Sequence, residues 1–310
     1  MDKSRILFLV PLPPPVHGSA MVSQAIRNST RINSSFQTDY VNLSTSRKMN
    51  EIGKHCVKKI FRFFGAFSKM MYKLLFHRWD ACYLAITCHG IGFLKDVPFV
   101  ALCKWFSPKV ILHLHNKGLS KEVYRWPYRW LMPWIFRHTE VILLSERLYS
   151  DVASVVRPEQ VHICPNGLSS PVDIKEVSHS SVPHLLFLSN LIESKGVYVL
   201  LDACQILKDK GYSFICDFVG GETKEITRRH LEEEISQRGL EEYVVYHGPQ
   251  YGEAKELFFQ KADIFVQPTF EDCFPLTLVE AMQHGLPVVS TDEGAIPDMI
   301  VDGENGFVCP

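Results

Sequence analysis

No two of the nine cysteines in this 310-residue sequence stand as a Cys-x-x-Cys pair, and the count is odd. That absence argues against a disulfide framework and against a zinc ribbon, and it favours reduced thiols in a cytoplasmic setting. Long apolar runs are missing too. None approaches the roughly 20 residues a helix needs to cross a bilayer. The opening "MDKSRILFLVPLPPPVHG" has only a brief apolar run before its prolines and lacks a cleavage-like end, so it reads as a first strand and not as a signal peptide. No tract is disordered by composition, since 46% of residues are hydrophobic. No Asp-x-Asp metal pair and no nucleic-acid-binding motif stands out.

Charge of one sign is scarce in each half. Residues 1–173 hold 23 Lys and Arg against 11 Asp and Glu, whereas residues 174–310 hold 10 against 23. The near-zero total therefore hides two oppositely charged halves, as expected of two domains with different partners or of halves that face each other.

Short β-branched or apolar runs alternate with longer helical stretches throughout. "RILFLV", "FQTDYVNL", "ACYLAI", "KVILHLH", "EVILL" and "QVHIC" read as strands in the first half, and "HLLFLS", "SFICDFVG", "YVVYHG", "DIFVQP" and "LPVVST" in the second. Such alternation predicts parallel sheets covered by helices. The pattern resets in "PNGLSSPVDIKEVSHSSVP", residues 165–183, which is rich in Ser and Pro. The expected organisation is an α/β protein with two doubly wound domains, 1–173 and 174–310, and a cleft between them. Ligands in such sheets sit at the carboxyl ends of the strands.

The loops at those ends supply the candidates. In "PLPPPVHGSA", Gly18 and Ser19 begin a helix whose backbone N–H groups could cradle a phosphate, although a plain connection explains the loop equally. In "LSNLIESKG", Lys195 immediately precedes a helix start, where the helix dipole gives a cation no reason to be. A phosphate would give it one; a solvated surface lysine is the alternative. In "EDCFPLTLVEAMQHGLPVV", Asp272 lies on the loop after a central strand, Pro275 suits the first turn of a helix, and Glu280 follows within it. N-capping by Asp272 and plain exposure of Glu280 would also explain the pattern.

Together "PPPVHGSA", "LSNLIESKGV", "VGGE", "YHG" and "PTFEDCFPLTLVEAMQHGLPVVSTDEGAIPDMIVDGENGFV" resemble the retaining nucleotide-sugar glycosyltransferases of family four, the group 1 glycosyltransferases, over nearly the whole chain. The resemblance implies the GT-B fold, a first domain on the acceptor side and a second that binds the nucleotide sugar. Glu280 matches the second glutamate of the family's Glu-x7-Glu pair, which holds the ribose hydroxyls. Asp272 stands where the first glutamate does, near the transferred sugar, and is one methylene shorter. Lys195 matches the phosphate-binding lysine, and Asn190 replaces the arginine that precedes it. Gly18 matches the first glycine of the family's Gly-Gly loop, with Ser19 in place of the second. Backbone groups of Phe274, Pro275 and Leu276 line the donor in this resemblance, and Tyr246–Gly248 matches the region near the base. His115, in "HLHNKG", falls where a family histidine approaches the sugar or the acceptor; His113 would point to the same face, and His89 ends the preceding strand.

The implied reaction transfers a hexosyl-type sugar, with retention, from a nucleotide diphosphate to a glycan or lipid-linked glycan, as in bacterial surface polysaccharide synthesis. It needs no metal and no further cofactor, and no nucleic acid is an expected partner. The chain ends at "NGFVCP", where the family continues with helices, so the resemblance implies a second domain without those closing helices. Asn190, Asp272 and that end keep a second class open, a nucleotide-sugar-binding relative impaired in transfer. A GT-B sugar epimerase is a third. Residues 47–78 carry nine cations and one acid interleaved with Phe, Met and Leu. That composition fits a helix on an anionic membrane, placing the protein peripherally on the inner face of the plasma membrane, or else a domain helix with an apolar core face. Trp126, Trp130 and Trp134 recur every four residues and form one helical face, either core or interfacial.

Overall fold

The computed structural model describes residues 3–46, 57–168 and 181–310, which form two compact units, Met1–Gly167 and Leu168–Pro310. The boundary expected at 173/174, and most of the expected linker, lie outside the described residues.

Among its described residues the first unit holds six strands: β1 (Arg5–Val10), β2 (Gln37–Asn42), β3 (Ala81–Ile86), β4 (Val110–Leu114), β5 (Glu140–Leu143) and β6 (Val161–Ile163). They pair in the order β2-β1-β3-β4-β5-β6, all parallel. The second unit repeats the plan with β7 (His184–Leu188), β8 (Ile215–Val219), β9 (Val244–Gly248), β10 (Ile264–Gln267), β11 (Val288–Thr291) and β12 (Gly306–Cys309). Its order is β12-β11-β10-β7-β8-β9, again all parallel. In each sheet the chain winds outward from a central strand and then restarts on that strand's other side. The reversals fall between β1 and β3 and between β7 and β10.

Parallel strands covered on both faces read as unbroken apolar runs, and the central ones do. Leu7 through Val10 are all buried, as are Ala81 through Leu84 and Leu185 through Phe187. In the first unit, the helices Val57–Phe76, Gly90–Phe106 and Tyr128–Phe136 pack on one common core. Met70 and Leu74, Phe93 and Phe99, and Met132, Ile135 and Phe136 are their contributions. The Phe99 ring receives the edges of Phe63 and Phe67 at 5.2 and 5.7 Å between centroids, which clamps the first helix to the second.

Two expectations need correction. β12 adds a sixth strand at "GFVC", where the chain end hid a four-residue strand carrying a glycine. The tryptophan face is not core: Trp126, Trp130 and Trp134 are 80%, 66% and 46% exposed. Met132, Ile135 and Phe136 point inward instead; Trp130 and Trp134 stand on the exposed side of the same helix, and Trp126 precedes its start, so the three do not share one helix.

Phe99→Ala should lower the stability of the first unit by about 3–5 kcal/mol, because the cavity removes the seat of Phe63 and Phe67 together. Urea denaturation followed by circular dichroism would measure it, and a loss below about 1 kcal/mol would contradict this packing.

Candidate functional site

In the second unit the loops after β7 and β10 leave the sheet side by side, where the strand order reverses. Lys195 lies on the first and Asp272 on the second. The Lys195 ammonium donates to Asp272 Oδ2 at 2.7 Å and to the Glu271 carbonyl at 2.7 Å. Both side chains are half-buried. The cation that had no local reason to precede a helix therefore has a tertiary one, a carboxylate 77 residues later.

Glycine makes this approach feasible. Gly196 has φ +83°, and a β-carbon on it would stand 1.9 Å from the Pro268 carbonyl oxygen. The loop after β8 closes on the β7 loop in the same way: a β-carbon on Gly220 would meet the Ser189 carbonyl at 1.8 Å. On the far side, Gly294 (φ +57°), after β11, would meet Asp272 O at 2.4 Å. Four strand-end loops thus interlock backbone to backbone.

Asp272 is not a helix cap. The helix runs Leu276–Gln283, its N-cap is Pro275, and no side chain caps it. Asp272 Oδ1 instead accepts from its neighbour Cys273 N at 2.9 Å, and its own N–H donates to Glu293 Oε1 at 3.1 Å. The start of the helix is held by Thr277, whose hydroxyl donates to the buried Gln267 at 2.8 Å. Phe274 and Leu276 are half-buried there and Pro275 is buried. Glu280 sits one turn on and meets a second lysine, Lys255, from the helix Glu253–Lys261, at 2.6 Å. The structure thus does not join Asp272 to Glu280; each carboxylate has its own ammonium.

Asn190 also has a structural partner. Its Oδ1 accepts from Gly221 N at 3.2 Å, tying the β7 loop to the "VGGE" turn. Beside that turn the Tyr246 hydroxyl donates to the Gly220 carbonyl at 2.8 Å, and the Arg228 guanidinium lies 4.6 Å from the Tyr246 ring centroid.

In the first unit, Gly18 is the first residue of the helix Gly18–Asn28, as its loop suggested. His113 and His115, at the end of β4, stack with centroids 4.0 Å apart. The structure separates their roles. His113 is buried and shares a hydrogen bond with the Tyr83 hydroxyl. His115 is half-buried, yet both its ring nitrogens are shut off from solvent without a hydrogen-bond partner. Burial, reinforced by nearby His17, lowers its pKa to about 4, so it is a neutral imidazole at physiological pH. Burial also lowers His113, and then His115 itself does. His89 is exposed, its ring against Gly118.

Sequence reading missed Lys255 and His17. Lys255 gave no local signal, because its partner lies on another helix 25 residues on. His17 was visible beside Gly18, and its Nδ1 lies 3.1 Å from the Ser19 hydroxyl.

Residues 173–310 match the family model described as glycosyl transferases group 1. Over 218 residues, 67% of its length, the chain is 26% identical to the amylovoran biosynthesis glycosyltransferase AmsK of Erwinia amylovora, and it covers 53% of that protein, about half. Sucrose-phosphate synthase from Thermosynechococcus elongatus superposes over 99% of this chain and 86% of its own, with TM-score 0.73 and 16% identity. Anabaena HepE, solved in complex with UDP and glucose, does so over 98% and 85%, with TM-score 0.67 and 18% identity. The fold is therefore GT-B, two parallel six-stranded sheets flanked by helices, and the second unit matches the group 1 glycosyl transferases.

Gly196→Ala should destabilise the second unit by at least about 2 kcal/mol, since it sets a positive φ and a backbone clash together. Thermal unfolding checks this, and an unchanged midpoint would mean the two loops do not touch. His115 yields a pH prediction. Its folded pKa lies below the ordinary 6.5, so the unfolded chain binds the proton more tightly. Stability is therefore full above pH 6.5 and falls as pH drops towards 4, by up to about 3 kcal/mol. His115→Phe should flatten that acid limb in urea titrations at several pH values; an unaltered limb would place the effect elsewhere.

Proposed function

We propose that this chain is a retaining glycosyltransferase that takes a sugar from a nucleotide diphosphate and gives it to a glycan or lipid-linked glycan in surface polysaccharide synthesis. The observation that carries the reading is the seat of Lys195. It is a half-buried ammonium at the strand-order reversal, beside an uncapped helix start, in the unit that matches the group 1 glycosyl transferases. An ammonium and a helix N-terminus together suit a diphosphate.

In this reading the bond from the anomeric carbon to the diphosphate oxygen breaks, and the electron pair leaves with the diphosphate. Lys195 and the backbone N–H groups of Phe274 and Leu276 stabilise that charge electrostatically, while Pro275 offers only its carbonyl, so the step needs no metal. The acceptor hydroxyl bonds to the same face of the sugar and passes its proton to the departing diphosphate oxygen. Asp272 and Glu280 accept hydrogen bonds from donor hydroxyls. Lys195 then exchanges its carboxylate for phosphate, and Lys255 holds Glu280 in place. In the first unit, Gly18, the first residue of its helix, is the proposed donor contact, and His115 is the proposed catalytic group, a neutral imidazole. Residues 47–78 bring the protein to an anionic membrane, and of these residues 47–56 lie outside the described structure. Among the described residues no helix is long and apolar enough to cross a membrane.

A second reading has its own support. Asn190 is tied to Gly221, and Asp272 to Lys195, so a nucleotide-sugar binder impaired in transfer also fits.

Titration calorimetry with UDP, GDP and ADP tests the donor site. Lys195→Ala should weaken diphosphate binding by roughly 10- to 150-fold, the worth of a charge-assisted hydrogen bond of about 1.5–3 kcal/mol. Glu280→Gln should weaken donor binding as well. Unchanged affinity in both variants would remove the donor from this site. Turnover against a panel of nucleotide sugars separates the two readings: transfer by the wild-type chain supports the first, and tight binding without transfer the second.

A further inference from the structure

The strand connections β2 to β3, β3 to β4 and β4 to β5 all advance in one direction along the first sheet. Right-handed crossovers therefore lay the three helices Val57–Phe76, Gly90–Phe106 and Tyr128–Phe136 on one face, side by side. Their inner sides share the core already described. Phe93 packs on Tyr128 at 5.9 Å, which joins the second helix to the third as Phe99 joins the first to the second.

The outer sides have an unusual chemistry. On the first helix Ile60, Phe61, Phe64, Leu75 and Phe76 are more than half exposed. Trp105 ends the second helix at 85% exposure, and Trp130 and Trp134 stand on the third, with Tyr124 and Trp126 just before it. The sequence has five tryptophans; the fifth, Trp79, is buried at 5%. Cations are interleaved with these rings. The three helices carry five, two and one Lys or Arg against a single acid, Asp96, which is buried. In the lead-in to the third helix, Glu122 is the sole acid, and it pairs with Arg125 at 3.1 Å. Lys104 Nζ and Arg129 Cζ each lie 5.0 Å from a tryptophan ring centroid, those of Trp134 and Trp130.

A face that exposes tryptophans and phenylalanines among cations, and whose one helical acid is turned inward, has the chemistry of a bilayer interface. Indole rings settle at the headgroup level, aliphatic and phenyl groups reach the acyl boundary, and lysine and arginine meet anionic headgroups. Tryptophan and arginine also anchor protein–protein interfaces, but such interfaces are depleted in lysine, whereas here Lys58 and Lys69 stand exposed among the rings of the first helix. We propose that the outer face of all three helices, with Trp105, Trp126, Trp130 and Trp134 as interfacial anchors, is a docking surface for an anionic membrane. The surface thus extends well beyond residues 47–78. The inference does not rest on the donor-site reading.

The tryptophans make the test direct, because four of five sit on the proposed contact. The full chain is mixed with vesicles of phosphatidylcholine, or of phosphatidylcholine and phosphatidylglycerol in equal parts, and intrinsic fluorescence and co-sedimentation are followed. The expected result is a blue shift with the anionic vesicles, quenched by lipids brominated near the headgroup and weakened as salt rises. Lys58→Gln with Lys59→Gln should lower affinity for anionic vesicles by about 25-fold, at about 5-fold per cation. Trp130→Ala with Trp134→Ala should lower binding and the shift together, whereas Trp130→Tyr with Trp134→Tyr should keep most of the binding. These side chains are exposed, so circular dichroism should be unchanged. Absence of a blue shift, equal binding to both vesicle types, or full binding by the tryptophan-to-alanine variant would each overturn the proposal.

Discussion

The pairing of Lys195 with Asp272 is the contact on which the second unit's strand-end architecture turns. It joins the loops on the two sides of the β7/β10 reversal, the one place in that sheet where neighbouring strands carry their connections away from each other. A half-buried ion pair contributes little net stability, because desolvation offsets most of its attraction. Its effect is to fix positions. The carboxylate sets where the ammonium stands, and removing one partner leaves the other charge uncompensated.

That placement is needed because of how charge is distributed. After Lys261 the sequence contains neither Lys nor Arg, while the loops after β10 and β11 carry Glu271, Asp272, Asp292 and Glu293. The cations that the structure brings to this region come from earlier in the chain. Lys195 reaches in from the loop after β7, and Lys255 from the helix Glu253–Lys261. The glycines do the complementary work. With β-carbons at 196, 220 and 294 the loops would stand apart and the lysine would fall short.

How much of this could be read from the sequence depended on whether a signal was local. Apolar or β-branched runs marked eleven of the twelve described strands, most plainly the central ones, which are buried along their length; β12 was too short and too mixed. Pro275 marked the start of its helix for a local reason, its fixed φ. The partner of Lys195 lay 77 residues away, and nothing in either loop named it. Helical spacing put Trp126, Trp130 and Trp134 on one side without saying which, but the helix starts only at Tyr128 and leaves Trp126 out. The inward side was legible too, in Met132, Ile135 and Phe136, and the two stripes together would have decided it. Composition likewise could not divide His113 from His115, since residues two apart on a strand share a face. The Tyr83 hydroxyl, contributed by the neighbouring strand, is what distinguishes them.

His115 carries a consequence for whatever reaches the end of β4. Its two ring nitrogens lost their water when the chain folded, and no protein group has replaced it. Most polar surfaces must shed hydration before they bind, which offsets much of what the new contact provides. Here that loss already belongs to the folded state. A hydroxyl can reach this imidazole only if the side chains closed over it move aside, so the unpaired nitrogens are a cost the folded chain carries until such a movement lets them pair.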